Sequence, residues 1–322
     1  MTMHRYHPWI HRFAVATTCI ALLPIVVGAA VTTLRAGMAF NDWPSSDGYS
    51  MLAYPWLQSA GDKFVEHGHR LAGIVIGLFS IALCVLVWRY ETRRWVHILG
   101  TAVLIGVVLQ GLLGGARVLL NDPRLALIHA GFAACVFVLI ASMALFTSQS
   151  WLSVDGSHGF VTASYVKPIS ITASVVIFIQ YVLGGLIRHL GTGLHEHLAF
   201  ALVVLLAVLM NVAAAYITKI RWLRHPAHLL LGLVLIQVVL GAGSWVTKFG
   251  FTPLGYVTVK DSIVQIVMRT SHTVVGMLLL MTSVNLSLRV SRLNCLDSQN
   301  ARLQQADEAG VGNALSITGG FG

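Results

Sequence analysis

The feature that most constrains this chain is a series of apolar runs, each about 20 residues long. At about 1.5 Å per residue, a helix of that length crosses the hydrocarbon layer of a membrane, which is about 30 Å thick. Of the 322 residues, 56% are hydrophobic and only 10% are charged, whereas soluble domains carry about 25% charged residues. The runs do not alternate with a period of two, which excludes a transmembrane β-barrel. The chain is therefore predicted to be an all-α integral membrane protein rather than a water-soluble enzyme.

The apolar runs predict eight transmembrane helices. They lie approximately at 13–33, 71–87, 96–113, 125–146, 168–187, 198–217, 227–246 and 263–288. An even number of spans places both termini on one side of the membrane. Twelve of the 21 Lys and Arg residues, Arg5 included, fall on that side, so the positive-inside rule favours cytoplasmic termini. Because basic residues set orientation in a membrane protein, the net charge of +9 is not taken as a sign of nucleic-acid binding.

An internal repeat divides the spans into two halves. Gln110 and Gly114 recur as Gln237 and Gly241, and His69 recurs at nearly the same offset as His197. The sequence therefore predicts two pseudo-symmetric four-helix bundles, an N-terminal half over residues 1–150 and a C-terminal half over residues 151–293. Residues 294–322 are rich in Gln, Asn, Ser and Gly without an apolar period, and they are predicted to form a disordered cytoplasmic tail.

Four histidines open the even-numbered spans at their outer ends: His69, His129, His197 and His272. Ionisable side chains at membrane depth are costly and usually face the bundle interior. A single histidine there is more simply an interhelical hydrogen-bonding group, but four at equivalent positions favour ligands. Neutral imidazole is a good axial ligand for haem iron, and facing helices build cofactor sites. Zinc or copper would need further ligands that no Cys, Met or carboxylate cluster supplies.

We therefore predict that His69 and His129 bracket one haem, and that His197 and His272 bracket a second. Only one side chain of each His-x-His element can face the interior. His69 and His197 are favoured because each precedes a Leu-Ala step, whereas His67 and His195 are expected at the periphery. The choice between His195 and His197 stays open at this point.

The two halves differ in the charged residues around these histidines. Glu66 lies three residues before His69 on the same helical face, and the equivalent position in the second half is Leu194. A carboxyl group beside a buried porphyrin can transfer protons, which predicts reactive chemistry in the first half and electron transfer in the second. Two arginines at outer helix ends, Arg117 and Arg188, are predicted to bind haem propionates.

The same residues resemble the haem A synthase family. The matching elements are Gly37 with Asp42-Trp43-Pro44, Glu66-x-x-His69-Arg70, Gln110-x-x-Leu113-Gly114-Gly115 leading to His129, Arg188-His189 with Gly191-x-Gly193, and a late His272. Many relatives carry a cysteine pair in the first outer loop, and this chain has none there. The resemblance spans roughly residues 12–290.

The resemblance implies oxidation of a methyl group of haem O to the formyl group of haem A, which supplies cytochrome oxidase. It implies that Glu66, His69 and His129 are catalytic, with the last two on the iron of the substrate haem, and that His197 and His272 ligate haem b. It further implies a bacterial-type inner membrane, an unidentified electron donor, and haem O synthase and cytochrome oxidase assembly factors as further partners. The alternative is a di-haem b-type cytochrome that passes electrons from quinol without modifying haem.

Overall fold

The structure is a computed structural model that describes residues 6–154 and 165–318. Arg5, which entered the charge count, and the last four residues of the predicted tail lie outside the described residues. Nine α-helices are described: α1 (Pro8–Leu34), α2 (Gly61–Tyr90), α3 (Arg94–Leu120), α4 (Pro123–Phe146), the short α5 (Gln149–Leu152), α6 (Val166–His189), α7 (Leu194–Ile217), α8 (Arg221–Phe249) and α9 (Ile263–Thr318).

Eight of these helices are long and apolar enough to cross a membrane, as predicted; the exception is α5. Their outward faces carry exposed Leu78, Leu202 and Val239, as expected for helices that contact lipid. The prediction of an all-α, multi-pass membrane protein is confirmed.

The helices pack as two groups of four. Within the first group, α1 contacts α2, α2 contacts α3, α3 contacts α4, and α4 returns to α1. Within the second, α6, α7, α8 and α9 make the corresponding contacts. The groups meet where α1 and α4 contact α6 and α9. The pseudo-symmetry that would relate the groups stays a prediction from the sequence repeat.

Local sequence accounts for the helix ends that face the candidate site. Pro123 occupies the first turn of α4, where its missing N–H is no loss, and the Asp122 side chain accepts a hydrogen bond of 2.7 Å from the Arg124 amide. Helix α1 ends at Arg35 in the left-handed conformation (φ 61°), and the following Ala36 amide donates to the Val31 carbonyl. These ends fix where the outer loops begin.

The tail differs from its predicted disorder, because α9 continues as helix to Thr318. Leu296 is buried, so the packed part of α9 extends beyond the last apolar run. After it come Ala301, Leu303, Gln304 and Gln305, which are good helix formers. The sequence prediction relied on an apolar period, which this segment lacks, and did not consider its helical propensity.

Candidate functional site

Each of the four predicted histidines packs against a glycine of the preceding membrane span. A Cβ atom added to the glycine would lie close to the imidazole Cε1 in every case: 2.7 Å for Gly28 and His69, 3.1 Å for Gly114 and His129, 3.2 Å for Gly184 and His197, and 3.2 Å for Gly241 and His272. Only a residue without a side chain lets the ring approach its neighbouring helix this closely. A Cβ at Gly28 would therefore force His69 to move, and at the other three glycines it would be in tight contact with the ring.

The four rings present the same edge to their glycines. Cε1 is the ring atom nearest to the added Cβ, and Nδ1 is the next. The distance from the added Cβ to Nε2 is 3.4 Å at Gly28, 3.9 Å at Gly114, and more than 4 Å at the other two glycines. Nε2 of His197 and His272 is therefore directed away from the facing glycine, whereas Nε2 of His129 lies 3.2 Å from the Gln110 side chain on α3. Nε2 is one of the two nitrogens through which histidine binds metals.

The rings face each other in the two predicted pairs. The centroids of His69 and His129 are 6.4 Å apart with an interplanar angle of 83°, and those of His197 and His272 are 6.2 Å apart at 79°. Metal–imidazole bonds are about 2 Å long, so two rings on opposite sides of one metal have centroids roughly 6 Å apart. Both pairs therefore have the spacing of two axial ligands. His195 is exposed, which leaves His197 as the member of its His-x-His element that faces a partner.

The imidazoles have few hydrogen-bond partners. Nδ1 of His69, His197 and His272 is buried and makes no regular hydrogen bond within the part of the chain that the structure describes. Each of these rings lies beside the backbone one turn before its glycine, at Pro24, Gln180 and Gln237 respectively. Buried polar groups without partners are expensive, and these Nδ1 atoms lie on the ring edge that faces the preceding helix, not on the Nε2 side.

Glutamine side chains tie the histidine helices to their neighbours. Nε2 of Gln110 donates to the carbonyl of His129, and Nε2 of Gln180 donates to the carbonyl of His197, both at 2.9 Å. Each glutamine lies one turn before the glycine that faces the same histidine. The Gln-x-x-x-Gly element therefore sets both the position and the close approach of its histidine.

Both histidine pairs line a single cavity of about 820 Å³. Among the described residues, no group of three or more His, Cys, Asp or Glu side chains could hold a metal ion. A porphyrin needs only the two axial ligands from the protein, since its own nitrogens supply the rest. The spacing of the paired imidazoles and the cavity that they line fit such a group.

Glu66 also lines this cavity. It lies on α2, three residues before His69. It is 1% exposed, and both carboxylate oxygens are engaged. Oε1 accepts from Arg70 Nη2 at 2.8 Å, and Oε2 accepts from the amides of Ala39 at 2.7 Å and Phe40 at 3.4 Å. Glu66 therefore fastens the first outer loop to α2 as well as facing the cavity.

The first outer loop covers the first pair. Arg70 donates to the carbonyls of Asp42 at 2.9 Å and Ser45 at 2.7 Å, and Nδ1 of His67 pairs with Ser46 Oγ at 3.0 Å. Trp43, which these contacts position, lines the cavity. Its indole touches the place where a Cβ of Gly115 would lie. His67 therefore faces the loop rather than the cavity, and it is buried there with 1% of its surface exposed.

The two arginines predicted to bind propionates have different surroundings. Arg117 lines the cavity and donates one hydrogen bond of 2.8 Å, from Nη2 to the Gly37 carbonyl. Arg188 also lines the cavity, but both of its terminal nitrogens donate to two acceptors each. These are the Arg269 carbonyl and Thr273 Oγ1 for Nη1, and the Ala29 carbonyl and Thr33 Oγ1 for Nη2. The Arg117 guanidinium keeps more of its donors for a ligand than that of Arg188 does.

Sequence reasoning missed three residues of the site. Gly28 lies in a run of small residues and is separated from His69 by the long first loop, so the repeat does not reveal it. Trp43 lies in the long first loop, whose length is typical of lids over functional sites, but the sequence does not predict which of its side chains enters the cavity. His189 belongs to the second half yet lines the same cavity and interacts electrostatically with His129; its position directly after Arg188 was the available signal.

The fold and the site define a class: a helical membrane protein with eight apolar spans and two buried histidine pairs at one end of the bundle. A family model described as cytochrome oxidase assembly protein (COX15-CtaA) matches residues 57–199. This region contains Glu66, His69, His129 and His197, and ends before α8 and α9.

Several curated proteins named heme A synthase are similar to this chain. Those of Brucella ovis and Brucella abortus are 30% identical over 158 residues, which is 46% of this chain and 42% of theirs. That of Lysinibacillus sphaericus is 26% identical over 197 residues, which is 60% of this chain and 62% of its own. The chain thus matches about half the length of these relatives. The resemblance to haem A synthases that the motifs predict is confirmed.

Proposed function

We propose that this chain is a haem A synthase, a membrane oxidoreductase that oxidises a porphyrin methyl group of haem O to the formyl group of haem A for cytochrome oxidase biogenesis. The observation that carries the proposal is the asymmetry of the histidine pairs. Both pairs have the spacing of axial ligands, but among the residues that the structure describes only the first has a buried carboxylate and a covering loop. The similarity to curated heme A synthases supports the same function.

The residues divide between the two pairs. In the proposal, His69 and His129 bind the iron of haem O, and His197 and His272 bind that of haem b. Haem, when bound, would supply the redox chemistry. The chain's residues hold and orient the porphyrins and exclude water from the reacting edge.

Glu66 is proposed to be the catalytic carboxylate of the first pair. It lies on the cavity wall one helical turn from His69, where it can hold or accept a proton lost from the substrate. Arg70 and two loop amides fix its orientation. Arg117 is proposed to bind a carboxylate of the substrate porphyrin, and Arg188 to lie beside the porphyrin edge in the second half.

The alternative function, a di-haem cytochrome that only passes electrons, gives Glu66 and the covering loop no role. Two equivalent electron relays need neither a carboxylate at one of them nor a lid over it. The curated relatives also carry the name heme A synthase. The multi-pass protein is proposed to lie in a bacterial inner membrane with both termini in the cytoplasm. An unidentified electron donor, haem O synthase and cytochrome oxidase assembly factors are its proposed partners.

The function is tested by expressing the full chain in cells that supply haem O and separating the extracted haems by chromatography. The parent protein is expected to accumulate haem A. Glu66→Gln, which keeps an oxygen to accept from the Ala39 amide, is expected to lose haem A while the bound haem b remains. Glu196→Ala is the matched control, since it removes an exposed carboxylate beside His197.

Three results would decide against the proposal or its parts. No haem A from the parent, although the protein binds haem, would favour the cytochrome alternative. Equal haem A from Glu66→Gln and parent would remove the catalytic role of Glu66. His272→Ala is expected to strip the b-type absorption spectrum, and an unchanged spectrum would remove that ligand assignment.

A further inference from the structure

Three cations gather at the outer end of the second half. Arg35 ends α1, Lys248 lies in the last turn of α8, and Arg269 lies in the second turn of α9. Lys248 interacts electrostatically with both arginines, and the arginines interact with each other. We call these residues the outer cation cluster. Asp261 is the carboxylate that interacts with Arg269, and it is itself close to Lys260.

Like charges repel more strongly beside a low-dielectric membrane than in water. In the described chain no salt bridge involves any member of the outer cation cluster. Lys248 Nζ lies 5.0 Å from the ring centroid of its neighbour Phe249, its one cation–π contact among the described residues. A cluster of this kind is favourable when an anionic ligand sits among its members.

The outer cation cluster lies directly above the second histidine pair. Arg269 precedes His272 by three residues, so it lies on the same face of α9 one turn nearer the outer end. Lys248 follows Gly241, which faces His272, by two helical turns. Both Lys248 and Arg269 line the cavity that contains the pair.

The two halves are opposite in charge at this position. In the first half, the residues three positions before His69 and His129 are Glu66 and Ala126. In the second half, the residues three positions before His197 and His272 are Leu194 and Arg269. At this position the second pair therefore has a cation where the first has a carboxylate. This arrangement suits the binding of a carboxylate rather than the transfer of a proton.

Arg188 is less well placed for the same task. Both of its terminal nitrogens already donate to carbonyl and hydroxyl oxygens of α1 and α9. To bind a carboxylate it would have to release some of these acceptors. Lys248 and Arg269 have no such competing hydrogen bonds from their side chains to described residues.

We propose that the outer cation cluster binds the carboxylates of the porphyrin held between His197 and His272, with Lys248 and Arg269 in contact and Arg35 adding to the positive potential. This inference rests on the proposed haem of the second half and adds the residues that orient it. Two carboxylates on one porphyrin edge match two cations from adjacent helices. The porphyrin would then be fixed at its iron by two imidazoles and at its edge by charge.

The test compares two probes, iron protoporphyrin IX and its dimethyl ester, which differ only in the charge of the two carboxylates. The full chain is prepared from haem-limited cells with His69→Ala, so that the second pair is the intact site. Binding is followed by the absorption of the bound haem. With the cluster intact, the acid is expected to bind about tenfold more tightly than the ester, as one charge-assisted contact provides.

In the double variant Lys248→Gln, Arg269→Gln, the two probes are expected to bind within about twofold of each other. Arg269→Lys keeps the charge and is expected to retain most of the preference. Arg124→Gln removes an exposed arginine from the outer end of α4 and is the matched control, with the preference unchanged. The single variants answer the question if the double variant does not fold.

An unchanged preference in the double variant would overturn the proposal, and would assign the cluster to another anion such as an acidic protein or lipid headgroup. Failure of both probes to bind the second pair would instead refute the proposed haem site. If the parent chain prefers the acid over the ester as expected but forms no haem A in cells, the role of the outer cation cluster is supported and the proposed activity is refuted.

Discussion

At the scale of single residues, the site depends on glycines as much as on histidines. An imidazole in the membrane must be held where its Nε2 atom can meet a ligand, and its other edge must then lie on a neighbouring helix. At Gly28 the space for even one carbon atom is absent, since a Cβ would lie 2.7 Å from His69 Cε1. This distance is shorter than side chains tolerate, so the ring must move if the glycine is replaced.

Gly28→Ala is therefore expected to displace His69 and to weaken haem binding by the first pair about tenfold or more. Gly77→Ala is the matched control, because a Cβ at Gly77 on α2 meets no atom within 4 Å. The haem retained by each purified variant, and its absorption spectrum, provide the measurement. Normal haem content in Gly28→Ala would show that His69 does not need this position.

Glu91, in the turn between α2 and α3, makes stability depend on pH. Burial alone would raise the pKa of Glu91, but hydrogen bonds from the Arg93 side chain and from the backbone amides of Thr92 and Arg93 hold the pKa below its ordinary value of 4.5. A group with a lowered folded-state pKa stabilises the fold above its unfolded pKa. That contribution disappears as the pH falls through the folded-state pKa.

Glu91→Gln is thus expected to lower the thermal unfolding temperature at pH 7 and to reduce its fall between about pH 5 and pH 3. The lost charged hydrogen bonds correspond to about 2 kcal/mol. Thermal unfolding in detergent, followed by tryptophan fluorescence, measures both effects. Asp62→Asn, at the outer end of α2, is the control. Parallel pH curves for Glu91→Gln and parent would contradict the assignment.

At the scale of elements, α2 organises the first outer loop as well as supplying a ligand. One turn of α2 carries Glu66, His67, His69 and Arg70, and three of these four side chains bind the loop. Trp43 is held over Gly115 as a result. The loop is therefore a cover for the first pair, and its position is set by the helix that carries the ligand.

Trp43→Ala is expected to uncover the first pair, because it removes the indole that lines the cavity beside Gly115. Haem bound there should transfer to apomyoglobin about tenfold faster than from the parent. Trp56→Ala is the matched control in the same loop, since Trp56 stacks on Phe64 instead. Equal transfer rates for Trp43→Ala and parent would show that the loop does not limit haem release.

Much of this arrangement is predictable from the sequence, for reasons that specific residues make clear. The four histidines and their pairing follow from membrane depth and from the repeat, and the structure brings each pair together. The partners of Glu66 do not follow, because the amides of Ala39 and Phe40 carry no side-chain signal. The helical tail was hidden by its polar composition, although that composition includes good helix formers.

At the scale of the whole molecule, Arg188 joins the two four-helix groups. From α6 it donates to Ala29 and Thr33 on α1 and to Arg269 and Thr273 on α9. Ala29 follows the glycine that faces His69, and Thr273 follows His272. A single guanidinium therefore touches the backbone or side chains next to one ligand of each pair.

Arg188→Gln is accordingly expected to affect both pairs at once. Loss of several charged hydrogen bonds should lower the free energy of unfolding by about 2–4 kcal/mol, and the midpoint potentials of the haems at both pairs should shift. Arg188→Lys keeps the charge but not the planar fork, so both its stability and its midpoint potentials should stay close to those of Arg188→Gln.

Arg117→Gln is the control. The Arg117 side chain donates to the Gly37 carbonyl, so this variant should shift the midpoint potential of the haem at the first pair alone. Potentiometric titration of the purified variants resolves the two haems. A potential shift confined to one haem in Arg188→Gln would contradict this link between the two groups of helices. Full recovery of both properties in Arg188→Lys would show that Arg188 provides only its charge.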